Sequence, residues 1–540
     1  MRVYLFLYVS LCLSFTCFSQ NEDAWVYLTD KANVANSIAN PITILSQKAI
    51  DRKNAHNVVI DKRDVPVNEV YIAQLKLQTG IIVMAKSKWF NAVHVRGSEL
   101  DIKALKNLSF VNSIDFADKS LNTLKRTQSK KESKFQETTT VFNYGSAVNQ
   151  IQMFNGDQLH LANFTGTEIT VAVLDAAFPN VDGMASFQRL RDGGHIKGTY
   201  DFVNRDPDVY VNNIGDPSNH GTLVLSTMAG YVQDTFVGTA PDADYYLFIT
   251  EDNFNENPVE ESYWVEAAER ADSLGVDVIN TSLGYGSFYD NTKYNYPATD
   301  FDGSTIYITR GANVAFEKGM LLVTSAGNEG TSGLNAPADA PGVFTIGAVD
   351  SNENYVTFSS IGSNIQSTQK PDVVAQGQNS SVIFENDGIG TANGTSFSSP
   401  IMAGGIACLW QALPNKSNAE IMQLVRESSS QYNTPDHELG YGIPDLQLAL
   451  DLGLASENAQ SKNIEVKMFP NPTDGIMYLS VPSNLTEISI QLFDMLGKQV
   501  LNFPINTMNK KFDITFLSRG IYIAKIQSKT ILKSFKIIKT

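Results

Sequence analysis

The strongest constraint on the fold is a series of apolar, β-branched segments that alternate with helical patterns between residues 169 and 413. Strands that are apolar on both faces and separated by helices are typical of a parallel sheet covered by helices on both sides. The sequence therefore predicts a three-layer α/β domain. Its predicted strands are 169–174, 245–249, 276–280, 321–325 and 343–349, and its predicted helices are 221–231, 258–274, 306–318 and 398–413.

The regions on either side of this domain differ from it in composition and in hydrophobic pattern. Residues 21–120 are predicted to form a small α+β unit, with strands at 25–28, 70–77 and 81–84 and a helix around 102–108. Residues 121–145, rich in Lys, Gln, Ser and Thr, are predicted to be an exposed linker open to cleavage. The α/β domain is assigned to 146–455, a second linker to 456–463 and a small all-β sandwich to 464–540.

The charge of the chain is unevenly distributed. The whole sequence has 41 Lys and Arg against 57 Asp and Glu, a net charge of −16. Residues 1–134 carry a net +7, residues 135–460 a net −29 and residues 461–540 a net +6. An acidic body argues against nucleic acid as a partner, because it offers no net cationic surface to the phosphates. The opposite charges would favour docking of the N-terminal unit on the middle domain, although separate compositions explain them equally well.

The N-terminus has the pattern of an export signal. Arg2 is followed by an apolar run from Val3 to Phe18 and by the small Ser19. At 16 residues this run is short for a membrane span but typical of a secretory signal peptide, which we assign to residues 1–20. Its removal leaves Cys408 as the sole cysteine, which excludes an intramolecular disulfide and predicts a buried apolar role for that thiol.

Ser396 is the first candidate for chemistry. It lies in the segment Gly394–Pro400, GTSFSSP, directly before an apolar helical run. Proline is tolerated in the first turn of a helix, so Pro400 places Ser396 at the helix N-terminus. The amides there favour the negative charge that develops when a serine attacks a carbonyl. An ordinary helix cap is the alternative.

His220 and Asp175 are the other two candidates. His220 lies in NHGT at a loop-to-helix junction, whereas the other five histidines are predicted to be solvated and without a partner: His56, His94, His160, His195 and His437. Asp175 closes a buried strand, at the sheet edge where α/β folds bind ligands, and could orient an imidazole. Structural roles for both residues remain open, but the order Asp, His, Ser is one of the known triad orders.

Taken together, these motifs resemble those of the subtilisin-like serine peptidases, or subtilases, over roughly residues 145–455. Further segments match family landmarks in order, among them GTAP at 238–241, VINTSLG at 278–284, SAGNEG at 325–330, KPD at 370–372 and GYG at 440–442. The resemblance implies a subtilisin-like fold and a serine endopeptidase. Alternatives from other enzyme classes fail, because an α/β-hydrolase needs glycine where Ser398 stands and no HExxH motif is present.

The resemblance implies a role for each matching residue. Ser396 would attack the scissile carbonyl, His220 would accept and return the proton, and Asp175 would hold the imidazole. Asn328 would donate its amide to the oxyanion. The substrate would lie between two segments, Ser282, Leu283 and Gly284 on one side and Ala326 and Gly327 on the other.

Several departures from the family pattern affect the expected rate of peptide hydrolysis. Ala176 follows Asp175 where the family has a hydroxyl residue, so one hydrogen bond to the aspartate is expected to be missing. A catalytically weak or inactive scaffold that acts as a cell-surface binding protein is therefore the alternative function. The insertion 285–303, rich in Tyr and Phe, would either overhang the cleft and favour basic or extended substrates, or pack on its own domain.

The flanking units also resemble known modules. Residues 24–118 look like a subtilase propeptide, an intramolecular inhibitor that is later cleaved off. The last 80 residues, with FPNP at 469–472 and GIY at 520–522, resemble the C-terminal sorting domain of type IX secretion, and a carbohydrate-binding or adhesive sandwich is the alternative. The expected partners are peptide substrates and the secretion machinery, for a monomer that is secreted or at the cell surface. No cofactor is expected for catalysis; structural Ca²⁺ is compatible with the family, without assigned ligands.

Overall fold

The computed structural model describes residues 21–122, 142–210, 218–463, 467–480, 488–494, 498–505, 511–527 and 532–540. The predicted signal peptide and most of the predicted processing linker lie outside these residues. By its internal contacts the chain divides into two units, Met1–Leu452 and Gly453–Thr540, and each is described by itself.

The first unit begins with an antiparallel sheet of order β2-β3-β1-β4. Its strands are β1 (Asn21–Leu28), β2 (Ile82–Ser87), β3 (Ala92–Ser98) and β4 (Val111–Phe116), and its helices are α1 (Val34–Ala39), α2 (Gln47–Ala55), α3 (Glu69–Lys76) and α4 (Glu99–Ala104). Apolar side chains of one sheet face pack with those of α3 and α4 into a small core. The α+β character of this segment is confirmed, but β3 and β4 were not predicted.

Helix α3 corrects the strand predicted at 70–77. Asn68 caps the helix through its side chain, which accepts a hydrogen bond from the amide of Val70. Glu69 lies in the first turn, and Ile72 and Leu75 are buried three residues apart on one face. The β-branched residues suggested a strand, but the cap and the helical spacing of the buried positions decide the outcome.

The centre of the unit is a parallel sheet, seven-stranded within the described residues, of order β13-β12-β11-β10-β5-β9-β6. Its strands are β5 (Thr170–Asp175), β6 (Ile196–Asp201), β9 (Asp244–Ile249), β10 (Val278–Thr281), β11 (Leu321–Ser325), β12 (Val343–Val349) and β13 (Val373–Gln376). All five predicted strands of this sheet are present, and β6 and β13 are additional. Because the chain adds β9 on one side of β5 and β10 on the other, the sheet has a topological switch point at β5, where such folds bind ligands.

Helices cover both faces of this sheet. They are α5 (Val148–Gln152), α6 (Gly156–Leu161), α7 (Gln188–Asp192), α8 (His220–Ala229), α9 (Val259–Leu274), α10 (Tyr307–Glu317), α11 (Thr395–Ala412), α12 (Asn418–Glu427) and α13 (Leu446–Asn463). Short ribbons pair β7 (Tyr231–Val232) with β8 (Phe236–Val237) and β14 (Ser380–Ile383) with β15 (Ile389–Ala392). Helix α13 continues through 456–463, which were predicted to be a linker.

The N-terminal sheet packs against α9 and α10. Trp25 and Trp89 are buried in the same apolar cluster as residues of these two helices and of the parallel sheet. The carboxylate of Glu269 on α9 accepts hydrogen bonds from the backbone amides of Lys88 and Trp89. The helices are therefore buried between two sheets.

A buried ion cluster also crosses this contact. Asp272 of α9 accepts hydrogen bonds of 2.7 Å from both Arg52 and Lys53 of α2. Lys53 also pairs with Asp64, and Lys318, after α10, pairs with Asp64 at 2.7 Å. These five side chains are almost completely buried, which makes the contact specific, since any unpaired member would be an isolated buried charge.

Two of the histidines predicted to be solvated are instead buried and bonded. His94 receives or donates hydrogen bonds at Asp23 and at Ser262 of α9, and His160 does so at Tyr144 and at the carbonyl of Thr239. The prediction was wrong because polar neighbours in sequence do not reveal partners that are distant in the chain. Cys408 is buried, as predicted.

After the end of α13, the described strands of the second unit form an all-β sandwich, as predicted. One sheet joins β16 (Lys467–Phe469), β17 (Ile476–Ser480) and β20 (Lys511–Asp513); the other joins β18 (Ile488–Phe493), β19 (Gln499–Ile505), β21 (Gly520–Gln527) and β22 (Leu532–Lys539). Both sheets contribute to one apolar core. Among the described residues of the whole chain, no helix has the length and apolar character needed to cross a membrane.

Candidate active site

The residues singled out in the sequence gather at one edge of the parallel sheet. Asp175 ends β5, Ser282 follows β10 and Gly327 follows β11, so all three lie at carboxyl ends of neighbouring strands. Helix α8 begins at His220, and Ser396 is the second residue of α11. A cleft of about 370 Å³ opens at this edge. It is lined by Ala176, Ser218, His220, Glu251, Asn253, Ser282, Leu283, Gly284, Phe288, Ser325, Gly327, Asn328, Glu329, Asn335 and Ser396.

Asp175 and His220 form a hydrogen-bonded pair. The distance from Asp175 Oδ1 to His220 Nδ1 is 2.7 Å, and the amide of Ala176 donates to the same oxygen at 2.8 Å. Asp175 is completely buried. Among the described residues, no donor reaches its other oxygen, Oδ2. This agrees with the expectation that Ala176, in place of a hydroxyl residue, leaves the aspartate one hydrogen bond short.

The electrostatics of this pair favour a protonated imidazole. Desolvation of His220 acts to lower its pKa, but the charge of Asp175, the hydrogen bond between them and the charge of Glu251 outweigh it. The pKa of His220 therefore lies above its ordinary value of 6.5. An aspartate in this position also selects the tautomer of the neutral ring, since it accepts the proton on Nδ1 and leaves Nε2 free to act as a base.

Ser396 is bonded to the segment that follows β10. Its hydroxyl donates to the carbonyl oxygen of Ser282 at 3.1 Å, and the Ser282 hydroxyl donates to the carbonyl oxygen of Ser396 at 2.8 Å. Helix α11 begins at Thr395, three residues earlier than predicted, so Pro400 lies in its second turn. Proline has no N–H for the carbonyl four residues before it, and here Ser282 supplies that donor.

Asn328 is held in place through its side-chain oxygen. Its Oδ1 accepts hydrogen bonds from the backbone amide of Thr395 at 2.9 Å and from the Thr395 hydroxyl at 3.1 Å. The side chain is exposed at the cleft. With the oxygen engaged, the amide group is the part of the side chain that can donate to a ligand in the cleft.

Four of the five predicted substrate-contacting residues line the cleft, and one does not. Leu283, Gly284 and Gly327 line it together with Ser282. Ala326 is fully buried, and its amide bonds to the carbonyl of Ile346 in β12. Ala326 therefore supports the wall of the cleft from behind.

The aromatic insertion 285–303 mainly packs on its own unit. Five of its aromatic side chains are buried, namely Tyr285, Tyr289, Tyr294, Tyr296 and Phe301. Phe288 is 59% exposed and lines the cleft. Of the two alternatives open in the sequence, packing on the domain describes most of the insertion, and Phe288 alone of these six aromatic residues reaches the cleft.

Glu251 is a cleft residue that the sequence reasoning missed. It follows β9 by two residues, at the same sheet edge as Asp175. Burial, followed by the charge of Glu256, raises the pKa of Glu251 to about 8. The signal that singled out Asp175, a carboxylate just after a buried strand, also applies to Glu251 and could have identified it.

Comparison with known families agrees with this geometry and with the order of the motifs. The model of the "Subtilase family" matches residues 166–442, which is more than half of the chain. The chain belongs to the subtilase family. Two further models match this subtilase on either side of that domain: "Peptidase S8 propeptide domain, Bacteroidota" at residues 23–136 and "Secretion system C-terminal sorting domain" at residues 467–540. The sorting domain indicates secretion and localisation at the cell surface.

Curated relatives of the subtilase are themselves proteases. It is 28% identical over 372 residues to subtilisin NAT of Bacillus subtilis subsp. natto, which covers 67% of this chain and 82% of the relative. It is 29% identical over 286 residues to the thermostable alkaline protease of Halalkalibacterium halodurans, and the match covers 53% of this chain and 68% of the relative. A solved structure, MycP1 from the ESX-1 type VII secretion system, aligns with a TM-score of 0.43 and 22% identity over 59% of this chain and 90% of that one. The family and its relatives identify a serine-type endopeptidase, whose catalysis needs no cofactor.

Proposed function

We propose that this subtilase is a secreted endopeptidase that cleaves proteins through an acyl-enzyme on Ser396. His220 accepts the hydroxyl proton and then passes it to the leaving amine, while Asp175 orients the ring and stabilises its cation. The observation that carries the proposal is the 2.7 Å hydrogen bond between Asp175 and His220 in a cleft that Ser396 also lines.

Asn328 and the backbone amide of Ser396 are the proposed oxyanion hole. The two hydrogen bonds from Thr395 fix the orientation of the Asn328 side chain before substrate binds. Such preorganised donors stabilise the charge of the tetrahedral intermediate without a reorganisation cost. The peptide would pair with Ser282–Gly284 by strand addition, since this segment follows β10 at the open edge of the cleft.

The hydroxyl of Ser396 must turn for this chemistry. It donates to the carbonyl of Ser282, and attack requires that it donate to His220 Nε2 instead. Serine hydroxyls change acceptor by side-chain rotation, and catalytic hydrogen bonds commonly tighten when substrate binds. The alternative function, an inactive scaffold for binding at the cell surface, is supported by this same contact and by the unbonded oxygen of Asp175.

The domain boundaries follow from the same proposal. A signal peptide, residues 1–20, and a propeptide, residues 21–120, precede a processing linker at 121–145, and the catalytic and sorting domains occupy 146–455 and 464–540. In this proposal the propeptide blocks the cleft until it is cut off. Its ion pairs with Asp272 of α9 support docking on the catalytic domain. Structural calcium remains a prediction. Glu251, Glu256 and Glu260 bring carboxylate oxygens within 4.8 Å of one another, which alone does not define a calcium site.

One experiment separates the peptidase from the binding scaffold. Full-length protein and its Ser396→Ala variant are purified after export, and hydrolysis of casein is measured together with labelling by a fluorophosphonate. We expect processing, labelling and hydrolysis in the native chain and none of them in the variant. A native chain that folds, yet neither hydrolyses casein nor reacts with the fluorophosphonate, would favour the scaffold.

A further inference from the structure

Glu251 presents an unused carboxylate oxygen at the catalytic cleft. Its side chain lines the cleft together with His220 and Ser396. Its Oε2 is buried and has no hydrogen-bond partner among the described residues. The Tyr285 hydroxyl lies close enough to influence Glu251, but it too is buried without a hydrogen-bond partner among the described residues. A buried polar atom without a partner is costly, so its presence in a substrate cleft points to a ligand that satisfies it.

Negative charge surrounds this oxygen. Carboxylate oxygens of Glu251, Glu256 and Glu260 lie within 4.8 Å of one another. Glu260 is buried and accepts hydrogen bonds from the amides of Asp252 and Asn257. Among the described residues, no lysine or arginine forms an ion pair with any of the three glutamates. The local field therefore favours a cation. Burial first, and then the charge of Glu256, raises the pKa of Glu251.

The other acidic residue of the cleft is already bonded. Glu329 accepts hydrogen bonds at its Oε2 from Asn335 Nδ2 and from the Ser360 hydroxyl, both at 3.0 Å. The cleft lining contains no lysine or arginine. Of these two carboxylates, Glu251 is the one with a buried oxygen that has no hydrogen-bond partner among the described residues.

The sheet order locates Glu251 relative to the scissile bond. The segments that follow β10 and β11 are the proposed walls of the pocket for the substrate residue whose carbonyl is attacked, here called the scissile residue. Both lie on one side of β5. Glu251 follows β9, on the other side of β5 and next to His220. In an extended peptide, neighbouring side chains point in opposite directions, so the residue before the scissile one faces this second side.

We propose that Glu251 forms a subsite for a lysine or arginine side chain of the substrate, in the residue that precedes the scissile residue. The inference rests on the proposed endopeptidase activity and adds the substrate class. The ammonium or guanidinium group donates to Oε2 and replaces the proton that the crowded carboxylate otherwise holds. The net charge of −29 on residues 135–460 attracts the same cationic peptides over longer distances.

The test uses peptides that differ at this one position, with Arg, Lys, Gln or Glu there. The processed enzyme from the full chain is assayed at pH 9, where Glu251 is ionised. We expect kcat/KM for Arg or Lys to exceed that for Gln by about 10- to 100-fold, as a charge-assisted hydrogen bond in a partly buried site provides. In Glu251→Gln this ratio falls to about 1, and in Glu251→Lys the Glu peptide becomes the best substrate.

A control variant and the other outcomes test whether Glu251 causes the preference for a basic residue. Glu438→Gln, an exposed carboxylate outside the cleft lining, keeps the native ratio. A native enzyme that cleaves the peptides without preference for a basic residue overturns the inference and leaves the endopeptidase intact. A preference for a basic residue that persists in Glu251→Gln also overturns it. So does a calcium-dependent rise in the Tm of the native enzyme that Glu251→Gln loses while the substrate preference remains. An enzyme that cleaves none of the peptides and does not react with the fluorophosphonate overturns both proposals.

Discussion

Ser282 and Ser396 exchange two hydrogen bonds, each hydroxyl donating to the main-chain carbonyl of the other residue. The bond from Ser282 satisfies the carbonyl that Pro400 leaves without a helical donor. This exchange ties the start of α11 to the segment after β10, and so determines where the proposed nucleophile lies relative to the substrate-binding edge.

Loss of the Ser282 hydroxyl is expected to weaken the connection between the start of α11 and the segment after β10. Ser282→Ala leaves the carbonyl of Ser396 without its donor, which costs about 1 kcal/mol of stability, or up to about 3 if no water replaces it. We expect a lower Tm and slower fluorophosphonate labelling of Ser396. Ser399→Ala is the matched control, because Ser399 contacts the same hydroxyl at 3.2 Å but leaves the bond to Ser396 in place. Equal effects of both variants would contradict this role.

The pH dependence should follow His220. Only neutral His220 can accept the serine proton, and its pKa lies above 6.5, so kcat/KM rises with pH through that raised value. Asp175→Asn removes the charge that raises the pKa, and the acid limb of the profile should move to lower pH while kcat falls by about 10⁴-fold. A profile whose acid limb stays in place in Asp175→Asn would show that another group controls it.

Asn328 should affect turnover more than binding. Asn328→Asp keeps the oxygen that accepts from Thr395 and removes the amide donor. Removing one oxyanion donor lowers kcat by about 10²- to 10³-fold, a magnitude that comes from subtilisin, and we expect KM to change little. Thr395→Val, which removes one of the two bonds that hold Asn328, should have a much smaller effect. A change confined to KM would argue against the oxyanion role.

The buried ion cluster should control how firmly the N-terminal unit is held. Asp272→Asn leaves Arg52 and Lys53 without their shared carboxylate, and breaking a buried pair costs about 3–5 kcal/mol. We expect a lower Tm for the unprocessed chain, measured in the Ser396→Ala background to prevent cleavage. Glu317→Gln breaks the more exposed pair with Arg63 and should cost at most about 1 kcal/mol. A comparable loss in both variants would be inconsistent with a dominant buried cluster.

Several elements were predictable because their signal is local. The strands β5, β9, β10, β11 and β12 are apolar on both faces, and each was predicted to within two residues at either end. Strand β6 was missed because it is only partly buried and its sequence is polar. Helix α3 was predicted as a strand because its β-branched residues outweighed a cap whose role depends on geometry.

The candidate site shows the same division. Asp175, His220, Asn328 and Ser396 were proposed as site residues from motifs, and the fold brings them to one sheet edge. Glu251 was missed because its importance depends on an unbonded oxygen and on two neighbouring glutamates, and neither is visible in the motif pattern. The partners of His94 and His160 were missed for the same reason.

The order and types of residues alone determined the α/β alternation, the subtilase motifs and the flanking modules, since these depend on side-chain pattern along the chain. Tertiary structure alone decided which polar atoms are satisfied. Ser282 donates to Ser396, Thr395 orients Asn328, and Glu251 is left with a buried oxygen that has no partner among the described residues. Hydrogen bonds and buried charges depend on distance and burial in space, and residues that are far apart in sequence meet only when the sheet and helices have packed.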